Sequence, residues 1–466
     1  MTTDAIFFSM SAASPRRLLV ISYHFPPDGA IGGLRWFGIT KHLARLGWEI
    51  DVVTAAIGAD AAKVPGVTVH VRQRSVTAND RYKEFVARRH AGAGTPASRP
   101  TSPSSSYAGP QQAGLAQRIR KLVGASLAFP DQARGWVLGA TRVAMRLLSK
   151  QKYDLVISSG PPHSVHIAGM LATLARGVPH WVDFRDPWAI MVGKIGLNST
   201  VTKHRRSVQL LQHVVFTHAK RVIVNNHAFA DALRIAEPRL AISAIPNAVD
   251  TDNFPRRAAE HSAECSVCHI GTLYAGRSLT SVLQAMETLA ATHADARTRL
   301  RLRLAGPMDA SHRDRFAADL ARSGVSEMVS VEGVLKRAAA LDLLVRSRLA
   351  LVLAQDQPLC VPAKLYESVG LGVPTLVIAE PGSASAREAK RLGVLTADPG
   401  DPDAIRRVFV DVLEERVPPM FQPEVPIAYS ETAAEVDRLL RTELGGISTG
   451  SVDEQPTSGP AERQVI

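Results

Sequence analysis

VPAKLYESVGLGVP, Val361 to Pro374, is the stretch on which the reading of this chain turns. It follows an apolar run, Leu349 to Ala354, with the length and composition of a buried parallel strand. Pro362 pre-sets the φ of a first helical turn and has no N–H to lose there. Lys364 lies in that turn, and Glu367, three residues on, falls on nearly the same face. Gly370, Gly372 and Pro374 end the helix and lead into a short strand, Thr375 to Ile378. A helix N-terminus with a lysine, backed by a carboxylate one turn deeper, suits an anionic ligand that also carries hydroxyls. By spacing alone an ordinary amphipathic helix accounts for the same residues, so the rest of the chain has to decide.

Working outward, the same strand–loop–helix unit recurs. Arg17 to Tyr23 reads as a strand, and the loop HFPPDGAIGG after it ends in Gly32 and Gly33. The helix that follows carries Trp36, Ile39, Leu43 and Leu46 on one face and closes at Gly47, before a second strand, Glu49 to Thr54. The paired glycines sit at the carboxyl end of the first strand, where open α/β sheets bind ligands. They serve equally as a flexible turn or as a place where backbone admits phosphate, and their spacing is neither the dinucleotide fingerprint nor the P-loop. Further on come a helix from Trp136 to Leu148, a strand from Leu155 to Ser159, the turn SGPPHS and a helix over Val165 to Ala175. The strand His180 to Phe184 then delivers Arg185, Asp186, Pro187 and Trp188. An ion pair with Pro-Trp at a strand end is costly to bury without use, which marks Arg185 and Asp186 as functional candidates.

Strands Val222 to Val224 and Ile242 to Ile245 follow, with PNAVD (Pro246 to Asp250) as a loop, and a second set begins near Val267. Arg277 precedes a helix bearing Leu279, Val282, Leu283, Met286 and Leu289, a position where the helix dipole disfavours a cation unless an anion joins it. Strands Leu300 to Ala305 and Val329 to Glu332, the opening stretch, a helix from Ala384 to Leu392 and a last helix near Ser430 to Leu440 complete it. The pattern predicts α/β architecture with two doubly wound Rossmann-like domains facing a cleft and a hinge near 246–265.

Composition limits the class. Apolar residues make up 45% and charged residues 21%, as in a soluble globular chain, and no apolar run reaches the ~18 residues needed to span a bilayer. The N-terminal MTTDAIFFSMSAASPRR places its cations after its apolar piece, the wrong order for a secretory signal, so a cytoplasmic protein is expected. The net charge is +12, and residues 81–152 hold thirteen Lys/Arg against two Asp/Glu, a local excess of +11. Sparse aromatics and the absence of a recognition motif argue against a nucleic-acid partner, leaving an anionic membrane surface. Within this window TPASRPTSPSSS reads as the centre of a flexible insertion, 75–114, and Leu115, Ile119, Leu122 and Val123 interleave with Arg118, Arg120 and Lys121. That pattern suits a basic helix on a bilayer or over an apolar acceptor site, and equally a helix packed on its own domain. Cys265, Cys268 and His269 spell the haem-attachment pattern, but they lie in a strand-like run where cysteine acts as a small hydrophobe, and a zinc site would lack ligands; neither metal nor cofactor is expected.

Nine segments, in order, carry a family likeness: ISYHFPPDGAIGGLRW, DLVISSGPPHS, WVDFRDPW, RVIVNNHAFADAL, IPNAVDTDNF, HIGTLYAGRSL, LRLAGP, VSVEGVL and PAKLYESVGLGVPTL. Over residues 16 to about 440 the chain resembles the retaining family-4 glycosyltransferases of the GT-B fold, in the branch that builds bacterial surface polysaccharides. The resemblance implies a nucleotide-diphosphate-sugar donor held by the second domain and a lipid-linked or glycan acceptor entering from the first. It assigns Glu367 to the donor's ribose and Lys364 and Arg277 to its diphosphate, with Pro362, Ala363 and Leu365 in the same turn. Gly32 and Gly33 would let backbone approach the phosphates, and Asp186 with Arg185 would lie near the transferred sugar. Trp188, Arg118 and Lys121 are acceptor-side candidates. The leaving diphosphate takes the acceptor's proton in such enzymes, so no metal is implied, and fixed cations stabilise the developing charge.

The chain also departs from that pattern. Leu359 stands where many members carry a second glutamate, Gly271-Thr272 stands where Gly-Arg is common, and FRDPW occupies the place of a first-domain histidine. A nucleotide-sugar epimerase of the same fold and a non-catalytic binding subunit therefore remain alternatives. The domain map expected is a leader over 1–15, an acceptor-side domain over 16–245, a donor domain over 246–425, a helix over 426–444 returning to the first domain, and a disordered tail over 445–466.

Overall fold

The computed structural model describes residues 16–26, 31–55, 64–77, 80, 81, 84, 129–188, 205–253, 264–274, 276–417 and 427–445. The leader, most of the 75–114 insertion, the basic segment with Arg118 and Lys121, and the tail after 445 lie outside the described residues.

The first half alternates β1 (Arg17–Ser22), α1 (Ile31–Arg45), β2 (Glu49–Thr54), β3 (Val67–Val71), α2 (Arg134–Lys150), β4 (Leu155–Gly160), α3 (Ser164–Leu174), β5 (His180–Phe184), α4 (Arg205–His218), β6 (Arg221–Val224), α5 (His227–Ala236) and β7 (Ile242–Ala244). All pairings are parallel, in the order β3-β2-β1-β4-β5-β6-β7. A strand covered on both faces needs apolar side chains on both, and β1 supplies them in alternation. Leu18 and Val20 join the core under α1, while Leu19 and Ile21 join the core under α2 and α3.

The second half alternates β8 (Cys265–Ile270), α6 (Thr280–Thr292), α7 (Ala296–Arg299), β9 (Leu300–Ala305), α8 (Ala310–Ser323), β10 (Val329–Gly333), α9 (Arg337–Arg346), β11 (Leu349–Leu353), α10 (Ala363–Gly370), β12 (Thr375–Ile378), α11 (Ala384–Arg391), β13 (Leu395–Ala397) and α12 (Pro402–Leu413). Its six strands are again parallel, ordered β10-β9-β8-β11-β12-β13. Cys265 and Cys268 are buried on opposite faces of β8, in separate cores, and the His269 Nδ1 meets the Leu351 carbonyl at 2.9 Å. The C-x-x-C-H run is thus strand core, its cysteines turned apart.

A last helix, α13 (Tyr429–Glu443), packs along α1 of the first half. The two chain crossings between the halves are bonded side by side, with Val249 N–H donating to Ile427 O at 2.8 Å and Tyr429 N–H to Val249 O at 3.0 Å. Among the described residues, no helix is long and apolar enough to cross a membrane.

Candidate active site

A cleft of about 1130 Å³ lies between the two sheets. Its first-domain wall comes from the residues after β1, β4, β5 and β6 and from the start of α1. Its second-domain wall comes from the residues after β8 and β11 and from the starts of α9 and α10. Strand carboxyl ends and helix N-termini therefore face each other, and both sheets reverse strand order beside it, at β1/β4 and β8/β11.

On α10, Pro362 is the N-cap with extended backbone and no side chain caps the first turn, so its outward N–H groups point to the cleft side. The Lys364 Nζ lies 2.5 Å from Glu367 Oε2, and Arg337, at the start of α9, donates to Glu367 Oε1 at 2.6 Å. Glu367 is only 5% exposed. Burial pushes its carboxyl up, but the charges and hydrogen bonds of Lys364 and Arg337 outweigh that and hold it below the ordinary value. Each oxygen of this carboxylate still has a lone pair for a ligand hydroxyl.

On the same second-domain wall, after β8, Arg277 stacks 4.5 Å over the Tyr274 ring and donates long bonds to Thr272 O (3.3 Å) and Gln357 Oε1 (3.4 Å). Its Nε is buried without a partner, and among the described residues no carboxylate pairs with it. Burial lowers its pKa. A desolvated guanidinium held by neutral oxygens and an aromatic face, with no counter-charge, is costly, and an entering anion offsets that cost.

Arg185 has another task. It is buried and spends its guanidinium on carbonyls, Nε to Gly160 O (3.0 Å), Nη1 to Gly32 O (2.8 Å) and Nη2 to Pro161 O (2.9 Å). The ion pair read between Arg185 and Asp186 is thereby corrected: Arg185 clamps backbone, and the buried carboxylate at this strand end is Asp183. Asp183 accepts from Arg35 Nε (3.3 Å), Trp36 Nε1 (2.7 Å) and Ser159 Oγ (2.7 Å), tying β4, β5 and α1 together. Asp186 itself turns into the cleft with its side chain exposed to the cleft water. The surrounding walls remove enough solvent to raise its pKa, against the pull of Arg185.

The paired glycines also need correction. The helix begins at Ile31, so Gly32 and Gly33 form its first turn and not the turn before it. A Cβ on Gly33 would lie 2.9 Å from the Phe25 backbone, and one on Gly32 would lie 3.1 Å from Arg185 Nη1 and Nη2. Both glycines admit neighbouring protein, and of the two only Gly32 lines the cleft. Trp188 is buried and stacks on His163 with centroids 5.0 Å apart and planes 21° apart. Burial, with Arg185 nearby, pushes the His163 pKa down to about 3, so this cleft-lining imidazole is neutral.

The structure thus gathers Lys364, Glu367, Arg277, Asp186, Arg185, Gly32, Pro362, Ala363 and Trp188 around one cleft. Leu365 is buried in the core beneath α10, and Gly33 stays behind the wall. Sequence reading missed Arg337, Tyr274, Gln357 and His163. Arg337 carried a signal, being a cation in a first helical turn like Lys364, whereas Gln357 and His163 showed none beyond standing at strand ends. Elsewhere, His42, Asp250 and Asp252 converge, but Lys41 already bonds both carboxylates, at 3.0 and 2.6 Å.

Residues 33–248 match the family described as glycosyl transferase 4-like domain. Among solved structures, HepE of Anabaena, in complex with UDP and glucose, is 13% identical with a TM-score of 0.59, covering 92% of this chain and 100% of that one. Sucrose-phosphate synthase of Thermosynechococcus elongatus is 12% identical with a TM-score of 0.58, over 92% and 99% of the two chains. The fold is GT-B. The UDP-forming α,α-trehalose-phosphate synthase of Burkholderia vietnamiensis shares it at 14% identity and a TM-score of 0.55, over 92% and 97%. No curated protein sequence matches the chain.

Proposed function

We propose that this GT-B protein is a retaining glycosyltransferase that moves a sugar from a nucleotide-diphosphate-sugar to a lipid-linked or polysaccharide acceptor. The observation that carries the reading is Arg277, a desolvated cation without a carboxylate partner among the described residues, which lines the cleft on the same wall as Lys364 and the uncapped start of α10. In this reading the donor diphosphate lies between Arg277 and Lys364, and Glu367 accepts from the ribose hydroxyls. The bond from the sugar's anomeric carbon to phosphate breaks, the acceptor oxygen bonds to that carbon on the same face, and the acceptor proton passes to the leaving phosphate oxygen. Arg277 and Lys364 stabilise the charge that develops there without a metal, while Asp186 contacts the sugar end. Arg185 acts through the backbone it positions. Glycosyl transferase 4-like character in residues 33–248 supports the reading, as does HepE, whose solved complex holds UDP and glucose. In this reading the reaction runs in the cytoplasm, at the inner membrane face where a lipid-linked acceptor would be presented.

A thermal-shift series with nucleoside diphosphates and their sugars, UDP and UDP-glucose first, tests this. A ligand at ~100 times its dissociation constant adds about 2.7 kcal/mol to folding. The expected result is a rise with one nucleotide that is lost in Glu367→Ala and Arg277→Ala. A full set of nucleotides that leaves the transition unmoved would overturn the reading.

A further inference from the structure

The two cations on the second-domain wall are not equally free. Arg277 has no carboxylate partner among the described residues, its bonds going to Thr272 O and Gln357 Oε1. Lys364 is held, with its Nζ 2.5 Å from Glu367 Oε2. Arg337 Nη1 takes the other oxygen, Oε1, at 2.6 Å, so the carboxylate cannot turn away from the lysine. The anchor of this triad is buried and its cations are not: the Glu367 side chain is 7% exposed, Lys364 22% and Arg337 46%. A buried carboxylate stripped of a cation without replacement is costly, so Glu367 gives up Lys364 only to a ligand that hydrogen-bonds it in turn. Lys364 nevertheless borders the same space as Arg277. Both line the cleft, and both act on the buried His269 at the end of β8, whose pKa is lowered to about 4, chiefly by burial and further by these two charges.

We propose that Glu367 is an interlock: in the free chain it withholds Lys364 from phosphate, and it releases the lysine only to a phosphate that arrives attached to a hydroxyl-bearing sugar. This rests on the nucleotide-sugar reading of the cleft and deepens it, by giving the site a means of excluding inorganic anions. An unpaired Arg277, a free Lys364 and the uncapped N–H groups of α10 would together bind any phosphate. Inorganic pyrophosphate brings the charge, but its oxygens are acceptors and so are those of Glu367, so it has nothing to offer the carboxylate. A ribose brings hydroxyl donors. Bonded to the remaining lone pairs of Glu367, they spread its charge, and Lys364 turns on its flexible stem toward the diphosphate. The discrimination comes from the cost of a buried polar group left unpaired, the same effect by which a site built for a hydroxyl rejects ligands without one.

Isothermal titration of the full chain with inorganic pyrophosphate and with the common nucleoside diphosphates tests this. In the parent, pyrophosphate should bind at least roughly a hundredfold more weakly than the preferred nucleoside diphosphate. Glu367→Gln keeps the shape and removes the charge that holds Lys364. Pyrophosphate should then bind about tenfold more tightly, while the nucleoside diphosphate binds more weakly. A misfolded variant would weaken both ligands, and mere relief of repulsion would strengthen pyrophosphate whether or not Lys364 is present. In a Lys364→Met background the gain from Glu367→Gln should vanish, since there is no lysine to free. Unchanged or weaker pyrophosphate binding in Glu367→Gln, or a gain of the same size without Lys364, would overturn the interlock. A pyrophosphate gain that appears although no nucleoside diphosphate binds the parent would support the interlock and overturn the donor reading instead.

Discussion

Arg277 and Glu367 show how charges betray a ligand at the scale of single residues. A guanidinium that existed for stability would be paired with a carboxylate, and Arg277 has two long bonds to neutral oxygens and the face of Tyr274. Arg277→Ala should therefore leave the thermal transition of the free protein unchanged or raise it, while weakening nucleotide-diphosphate binding roughly 10- to 100-fold, the range for lost charge-assisted hydrogen bonds. Arg277→Lys should recover part of the affinity. Calorimetric titration alongside thermal melts checks this, and a transition that falls by many degrees in the alanine variant would assign the residue to the scaffold instead. Glu367 behaves in the opposite sense. Its carboxyl is held below the ordinary value in the folded chain, so its contribution to stability is complete above the pKa of the unfolded carboxyl and is lost as pH falls through the lower folded value. Glu367→Gln should flatten the acid limb of a stability–pH profile from urea midpoints between roughly pH 6 and 3. A profile of parental shape would mean that Lys364 and Arg337 do not hold the carboxylate.

Among elements, α13 returning to α1 carries the most testable packing. A Cβ at Gly38 on α1 would sit 2.1 Å from Tyr429 Cδ2, inside the ring's own volume. Trp48 Nε1 also donates to Asp437 at 2.7 Å and Arg221 pairs with Glu443 at 2.7 Å, so α13 is pinned along its length. Gly38→Ala gains helix propensity yet should destabilise by ~1–3 kcal/mol through overpacking, and that cost should shrink in a Tyr429→Ala background. A double-mutant cycle by urea denaturation checks it; additive effects would show that the contact carries no energy. This seam is invisible locally, since it joins residues almost four hundred positions apart. What the sequence does show are elements whose side chains answer to one environment. Strands β5, β9 and β12 match their expected bounds residue for residue because His180–Phe184 and Thr375–Ile378 are buried throughout, while in Leu300–Ala305 the buried Leu300, Leu302 and Leu304 alternate with half-buried arginines. Edge strands β3 and β13 have mixed exposure, and their periodicity fades accordingly. Helix α8, ASHRDRFAADLARS, buries only Ser323 outright and so lacks an apolar stripe to read. The site divides in the same way. Lys364 and Glu367 share one helical turn and are legible together, whereas Arg337, thirty positions before Glu367, meets it only once the chain between them is folded.

For the whole molecule the decisive contact is Leu359, in the loop between β11 and α10. This second-domain residue packs against the first-domain cluster of Val182, Phe184, Phe216 and Phe229. Its carbonyl accepts from Asn226 Nδ2 at 3.0 Å, while Asn226 Oδ1 accepts from Phe229 N–H at 2.8 Å and so caps α5. Ala228 on α5 reciprocates by packing with the second-domain cluster of Val361 and Leu365. The loop that presents Gln357 to Arg277 is therefore also the loop that fastens the domains together, and the cleft's cationic wall is coupled to their approach. An interdomain contact of this kind is small and opens readily. Leu359→Ser removes the apolar plug without touching Arg277, Lys364 or Glu367. The free variant should expand in small-angle scattering, and its thermal unfolding should separate into two transitions as the domains uncouple. A bound nucleotide-diphosphate-sugar, held by Arg277 and Lys364 on one wall and reaching Asp186 on the other, should restore the compact form, with an affinity reduced by the fraction of closed molecules. Scattering curves that superimpose on the parent, with one transition in each, would show that the plug fills space without joining the halves.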